Sequence, residues 1–224
     1  LVWEQVPIRV MADARLEATA TPPRHRGEPW SLEATVHVEQ GRATGLPVIQ
    51  EADHLRGTLE LVQQTLVIQQ LHGTSLGADW QLEGEVHLNE DPFFEALLRT
   101  RVEAAELAKL SEDLARPWQP QGLVGLSIVG RGRPSAWPHM EVMAKIELAD
   151  VAATIPKTGQ GVRRLSGRAQ YDHLTSRLSI ETANGFLETS PFTLQGNVNL
   201  AQPPTMDLAL ETDVELALAQ PWLP

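Results

Sequence analysis

Through most of the chain, apolar and polar residues alternate with a period of two. Trp80, Leu82, Gly84, Val86 and Leu88 are separated by Gln81, Glu83, Glu85 and His87, the pattern of a strand with one apolar and one wet face. Phe192, Leu194, Val198 and Leu200 alternate with Thr193, Gln195, Asn197 and Asn199, and Leu208, Leu210, Val214, Leu216 and Leu218 are set against Glu211, Asp213 and Glu215. Shorter stretches repeat the theme at Val6-Ile8-Val10, Leu32-Ala34-Val36-Val38, Leu59-Leu61, Val124-Leu126-Ile128, Val142-Ala144-Ile146-Leu148 and Leu178-Ile180.

Between them stand the residues that supply turns: Thr21-Pro22-Pro23, Gly41, Gly73 to Gly77, Asn89-Glu90-Asp91-Pro92, Asn184-Gly185 and Gln202-Pro203-Pro204. Strands at short regular spacing with turns between them predict an all-β, mainly antiparallel meander. Asn184-Gly185 reads as a two-residue hairpin turn, whose central positions need positive φ. One stretch departs from period two: residues 104–114 are rich in helix formers, with Leu107, Leu110 and Leu114 on one stripe, and predict a short amphipathic helix that caps the sheet or fills space at a junction.

The pattern is repeated at an interval of about 110 residues. Val36-His37-Val38-Glu39 through Pro47 to Leu55-Arg56-Gly57 recurs as Ile146-Glu147-Leu148-Ala149 through Pro156 to Leu165-Ser166-Gly167. The copies stay in step through Leu82-Glu83-Gly84-Glu85-Val86-His87-Leu88 and Leu194-Gln195-Gly196-Asn197-Val198-Asn199-Leu200, and close on Pro117-Trp118 and Pro221-Trp222. Two units are expected, 1–119 and 120–224, continuous in one sheet. About fourteen strands at about 4.8 Å would make an elongated sheet roughly 65 to 70 Å long. With few helices to cover its apolar face, that sheet either closes on itself or curves into an open groove with an apolar lining.

Composition narrows the function. A net charge of -11 and a pI of about 5.1 without a Lys/Arg cluster argue against nucleic acid as a partner; Arg163-Arg164 and the separate Arg131 and Arg133 read as solvated positions. The absence of cysteine excludes thiol catalysis and a disulfide scaffold, and fits an oxidising compartment. No run approaches the roughly 18 apolar residues of a membrane span. The chain starts at Leu1 and stops shortly after Trp222, so it reads as a piece of something longer.

The chemistry-bearing motifs are weak. Gly73-Thr74-Ser75-Leu76-Gly77 matches the G-x-S-x-G nucleophile elbow, but that serine needs a helix after it, and Ala78-Asp79-Trp80-Gln81-Leu82 alternates like a strand. The histidines, His25, His37, His54, His72, His87, His139 and His173, have no metal-ligand spacing. Asp53-His54 and Glu90-Asp91 sit in turn-like segments where Asp binds its own backbone, the latter without further oxygen ligands for calcium. No cofactor, metal or catalytic residue is expected, and the chain reads as non-enzymatic. Trp118 and Trp222 are equivalent, and Trp30 and Trp137 nearly so; such residues either cap the core at repeat junctions, which their flanking prolines favour, or line a ligand surface.

The order of alternating strand, Leu-x-Gly, strand, loop and Leu-x-Gly-x-Val-x-Leu resembles the AsmA-like family, which includes TamB-related bridge-like lipid transport proteins of the Gram-negative envelope. Leu55-Arg56-Gly57, Leu82 to Leu88 and Pro92 carry the likeness in the first copy, and Leu165-Ser166-Gly167, Leu194 to Leu200 and Pro203 in the second. The resemblance implies a periplasmic body with a curved β groove, anchored to the inner membrane by an N-terminal helix absent from this chain, that carries phospholipid acyl chains between the membranes and supports outer-membrane biogenesis. On that reading, Leu59, Leu61, Trp80, Leu82, Val86, Leu88, Val142, Ile146, Leu148, Phe192, Leu194, Val198, Leu208, Leu210 and Val214 line the conduit. The partners are then phospholipid or another acyl lipid, with membrane contact through parts outside this chain and a possible edge-to-edge dimer. The alternative is a structural or adhesive β-repeat protein with a closed dry core that binds other proteins.

Overall fold

The computed structural model describes residues 9–22, 31–46, 50–109 and 116–213. They form an all-β fold: one open antiparallel sheet of 12 strands, hydrogen-bonded in chain order. The strands are β1 (Arg9–Thr21), β2 (Ser31–Leu46), β3 (Gln50–Val62), β4 (Thr65–Ser75), β5 (Ala78–His87), β6 (Phe93–Glu103), β7 (Gln121–Gly132), β8 (Glu141–Thr154), β9 (Gly161–Asp172), β10 (Arg177–Leu187), β11 (Ser190–Asn199) and β12 (Thr205–Thr212). The α-helix among the described residues, α1 (Ala104–Lys109), buries Ala104 and Ala108. It is the start of the expected 104–114 helix; Leu110 and Leu114 lie outside the described residues.

Contacts group the chain into two compact units, Leu1–Thr100 with Val129–Glu141, and Arg101–Ile128 with Val142–Pro224. In the first, β2 pairs with β3 through Val36–Leu59 and Val38–Gly57, and β3 with β4 through Leu59–Ile68 and Gly57–Leu71. β4 then pairs with β5 through Ile68–Gly84, Leu71–Leu82 and Gly73–Trp80, and β5 with β6 through Gly84–Ala96, Leu82–Leu98 and Trp80–Thr100.

The second unit has the same register with substituted residues. β8 pairs with β9 through Ile146–Ala169 and Leu148–Gly167, and β9 with β10 through Ala169–Ile180 and Gly167–Ala183. Ile180–Gly196 and Ala183–Leu194 follow between β10 and β11, then Gly196–Leu208, Leu194–Leu210 and Phe192–Thr212 between β11 and β12. The repeat seen in the sequence is therefore a repeat of strand pairing. His173–Ser176 joins β9 to β10 where Gln63–Gln64 suffices between β3 and β4, and this accounts for the slight drift between copies.

Two turn expectations are corrected. Asn184 and Gly185 lie inside β10, paired with Thr193 and Phe192, and the chain reverses at Glu188-Thr189, between the paired Leu187 and Ser190. Gly185 is there for space, because a Cβ on it would meet Phe192 Cε1 and Cζ at 3.2 Å. Gly41 likewise lies inside β2 opposite Ala12, at a register shift that also sets it against Leu55. Within the Gly73 to Gly77 stretch, Gly73 pairs with Trp80 and the turn is Leu76-Gly77, both at positive φ (52° and 68°), as a tight two-residue hairpin requires. The described strands number 12 rather than fourteen.

Candidate functional site

Directly paired residues of an antiparallel sheet project from the same face, so the register sorts every side chain. In the first unit one face carries Ala34, Leu61, Leu66, Val86 and Phe94 in one row, then Val36, Leu59, Ile68, Gly84 and Ala96, then Val38, Gly57, Leu71, Leu82 and Leu98. The second unit repeats these rows as Ala144, Tyr171, Leu178, Val198 and Met206; Ile146, Ala169, Ile180, Gly196 and Leu208; and Leu148, Gly167, Ala183, Leu194 and Leu210.

Among the described residues these faces are covered only in part. Leu59, Leu61, Leu66, Ile68, Leu82 and Val86 are half-buried, as are Ile146, Leu148, Leu178, Ile180, Leu194 and Val198. Among the described residues, the buried hydrophobic side chains larger than alanine are Leu55, Val102, Val124, Met140 and Val151. In the first unit the face closes near one margin, where Ala43, Ala52 and Leu55 pack with Val38 and Trp80. Trp80 lies beside Gly73 there, and its Nε1 donates to Ser75 Oγ at 3.0 Å.

Of the residues expected to line a conduit, Leu59, Leu61, Trp80, Leu82 and Val86 share the apolar face of the first unit, and Ile146, Leu148, Phe192, Leu194, Val198, Leu208 and Leu210 that of the second. Val142 stands at the start of β8, half-buried, its carbonyl accepting from the His173 N–H. Leu88 falls just past β5 and is exposed. Val214 lies outside the described residues. The pattern missed Leu66, Ile68 and Leu71, because the β4–β5 register shifts between Ile68 and Leu71 and breaks period two. Its signal was present in the second copy, where Leu178 and Ile180 precede a shift at the same place.

The opposite face of the first unit is mainly polar, with Val62, Val67 and Leu97 among its residues, and several of its polar side chains pair with one another. His37 Nδ1 lies 3.2 Å from Thr58 Oγ1, His54 Nδ1 3.0 Å from Thr74 Oγ1 and His87 Nδ1 3.1 Å from Thr65 Oγ1. Arg42 binds Glu51 and reaches Asp53 at 3.2 Å, which leaves Asp53-His54 in separate contacts rather than as a dyad. Asp91 is held by Arg133 at 3.0 Å and by the Ser135 hydroxyl at 3.0 Å. Ser75 ends β4, donates to the Glu51 carbonyl at 3.1 Å and is followed through Leu76-Gly77 by a strand, so the nucleophile-elbow context is absent at this motif.

Arg163 and Arg164 are exposed. Trp118 is 44% exposed after α1, whereas Trp30, Trp222 and the Trp137 side chain lie outside what is described. Among the described residues no helix is long and apolar enough to cross a membrane, and no three His, Asp or Glu side chains converge as a metal site. No protein-family model, curated protein or solved structure matches the chain.

Proposed function

We propose that this chain is a non-enzymatic segment of a periplasmic lipid-transfer bridge of the AsmA-like kind, whose apolar sheet face holds phospholipid acyl chains on their way between inner and outer membranes. What supports this reading most is the repeated ladder of aliphatic side chains, half-buried except for the buried Ala183: Leu59–Ile68 and Leu71–Leu82 in one unit and Ile146–Ala169 and Ala183–Leu194 in the other. Removing apolar surface from water stabilises a contact by about 25 cal/mol per Å², so an acyl chain laid along such rows is held by many small contacts. Such holding is tolerant of headgroup and permits sliding. The polar groups on these rows are few, with Tyr171 and the capping Thr100 and Thr212 at their edges.

Mass spectrometry of the purified chain tests the proposal. Co-purifying phospholipid, displaced in parallel with loss of the aliphatic face in a Leu82→Asp, Leu194→Asp variant, is the expected result. No lipid, together with a compact hydrodynamic radius, would favour the protein-binding β-repeat reading.

A further inference from the structure

We propose that the polar face of the second unit carries a binding site for a short peptide with a carboxylate at one end, an ammonium at the other and an apolar middle. The site lies opposite the aliphatic rows and does not depend on the lipid reading.

The two copies differ here although their register is the same. In the first, Asp53 is paired with Thr74, and Arg56, His72, Gln81 and Arg99 form the next row. In the second, the equivalent pair is Arg163 and Phe186, and the equivalent row is Ser166, Asn184, Thr193 and Glu211. His54 and Arg164 also correspond, each at positive φ (53° and 51°) where the register shifts. The His54 ring is engaged by Thr74 Oγ1 at 3.0 Å. Phe186, in the place of Thr74, offers Arg164 no such hydroxyl. Among the described residues, the side chains of Arg164 and Glu211 are in no ion pair or hydrogen bond.

Around Phe186 the second unit leaves a recess of about 570 Å³, lined also by Arg164, Asn184, Pro191, Thr193 and Glu211. That volume falls within the roughly 300–1,000 Å³ of small-ligand sites, which combine an apolar surface with a few placed polar groups. Phe186 is 36% exposed, and the exposed Pro191 stands directly across from it in the β10–β11 pair. The middle of the recess is therefore apolar on a face whose other residues are mainly polar.

Charge is separated across it. Arg164 belongs to β9 and Glu211 to β12, with Phe186 on β10 and Pro191 on β11 between them. Three strand spacings of about 4.8 Å hold the two ends about 14 Å apart at the backbone, which keeps them from neutralising one another. A single ion satisfies only one end. Three residues of extended peptide span about 10 Å, and the reach of the two side chains makes up the rest. The carboxylate then meets Arg164, the ammonium meets Glu211, and a central apolar side chain covers Phe186 and Pro191. Asn184 Oδ1 accepts from Thr193 Oγ1 at 2.8 Å, which leaves the Asn184 amide N–H groups to donate to a peptide carbonyl.

Titration of the whole chain with the tripeptide Ala-Leu-Ala, free at both termini and followed by amide NMR, tests the site. Saturable shifts centred on Asn184, Phe186 and Thr193 are expected. Amidating the peptide's C-terminus should weaken binding about two- to fivefold in the wild type, the range of an exposed ion pair, and leave affinity for Arg164→Gln unchanged. Acetylating its N-terminus should do the same in the wild type and leave affinity for Glu211→Gln unchanged. Phe186→Ser should weaken all forms of the peptide alike. These side chains are exposed, and amide spectra that match the wild type away from the recess show that the variants fold. Absence of saturable shifts at the recess, or a loss on amidation that persists in Arg164→Gln, would overturn the proposal.

Discussion

Trp80 stands directly across from Gly73 in the β4–β5 hairpin, its indole ring occupying the space where any side chain on Gly73 would go. Leu55 closes the other side of that space, with Cδ2 2.9 Å from the position of a Gly73 Cβ. The second copy builds the same pair from smaller parts, with Phe192 across from Gly185. The aromatic supplies the apolar area that the glycine lacks, and the glycine supplies room for the ring.

Gly73→Ala is therefore expected to destabilise the chain by about 1–3 kcal/mol through overpacking. Gly185→Ala should cost less, since its Cβ would come no closer than 3.2 Å to the Arg163 carbonyl oxygen and to Phe192 Cε1 and Cζ, whereas one on Gly73 would overlap the Trp80 ring. Urea midpoints of the two variants, compared with the wild type, check the order; equal losses would mean that the two pairs do not differ as the geometry says.

Gly84 and Gly196 occupy equivalent sites where the sheet brings a neighbouring backbone close. A Cβ on Gly196, at φ +138°, would run into the Asp207 carbonyl and lie 2.9 Å from Leu208 Cα, and one on Gly84 would meet the Glu95 carbonyl in the same way. Alanine at either position is expected to cost about 2–4 kcal/mol, combining backbone strain with displacement of the adjacent strand. Thermal unfolding of each variant measures it, and a loss below that of Gly185→Ala would refute the close approach.

Thr100 Oγ1 donates to the Asp79 carbonyl at 2.8 Å, and Thr212 Oγ1 to the Pro191 carbonyl at 3.0 Å, the same bond in each copy. Thr100→Val should lower stability by about 0.5–1.5 kcal/mol. Thr212→Val should lower it less, because Thr212 is exposed and water replaces the lost partner. Paired denaturation curves for the isosteric variants decide between this order and its reverse.

Arg42 bridges Glu51 and Asp53 on the polar face, with its side chain 56% exposed. Arg42→Ala is expected to change stability by less than about 1 kcal/mol, and the small loss should shrink further as salt is raised. Denaturation at low and high ionic strength checks both statements.

Alternation along β5, β8 and β11 made the two faces legible before any register was known, because period two and a half-buried sheet are the same fact seen in sequence and in space. The repeat was legible for a related reason: Gly57 and Gly167, and Gly84 and Gly196, sit where the adjacent strand comes close, so both copies keep them. Sequence and structure part where a residue type does not play its commonest role. Asn184-Gly185 has the composition of a hairpin turn, yet the ring of Phe192 claims the bare backbone of Gly185 inside a strand. The actual reversals at Gln63 and Glu188 use positive φ on residues with long polar side chains, which composition does not flag. β4 was hidden because its register shift moves Leu71 out of phase with Leu66 and Ile68.

On the proposed function, the aliphatic face, and not the polar one, touches lipid. Photo-crosslinkers placed at Leu82 and Leu194, on the apolar rows, and at Glu83 and Gln195, one residue along on the opposite face, test it most directly in cells or with phospholipid vesicles. Phospholipid adducts at Leu82 and Leu194 with none at Glu83 and Gln195 are the predicted result; equal labelling of both pairs, or labelling of neither, would contradict it.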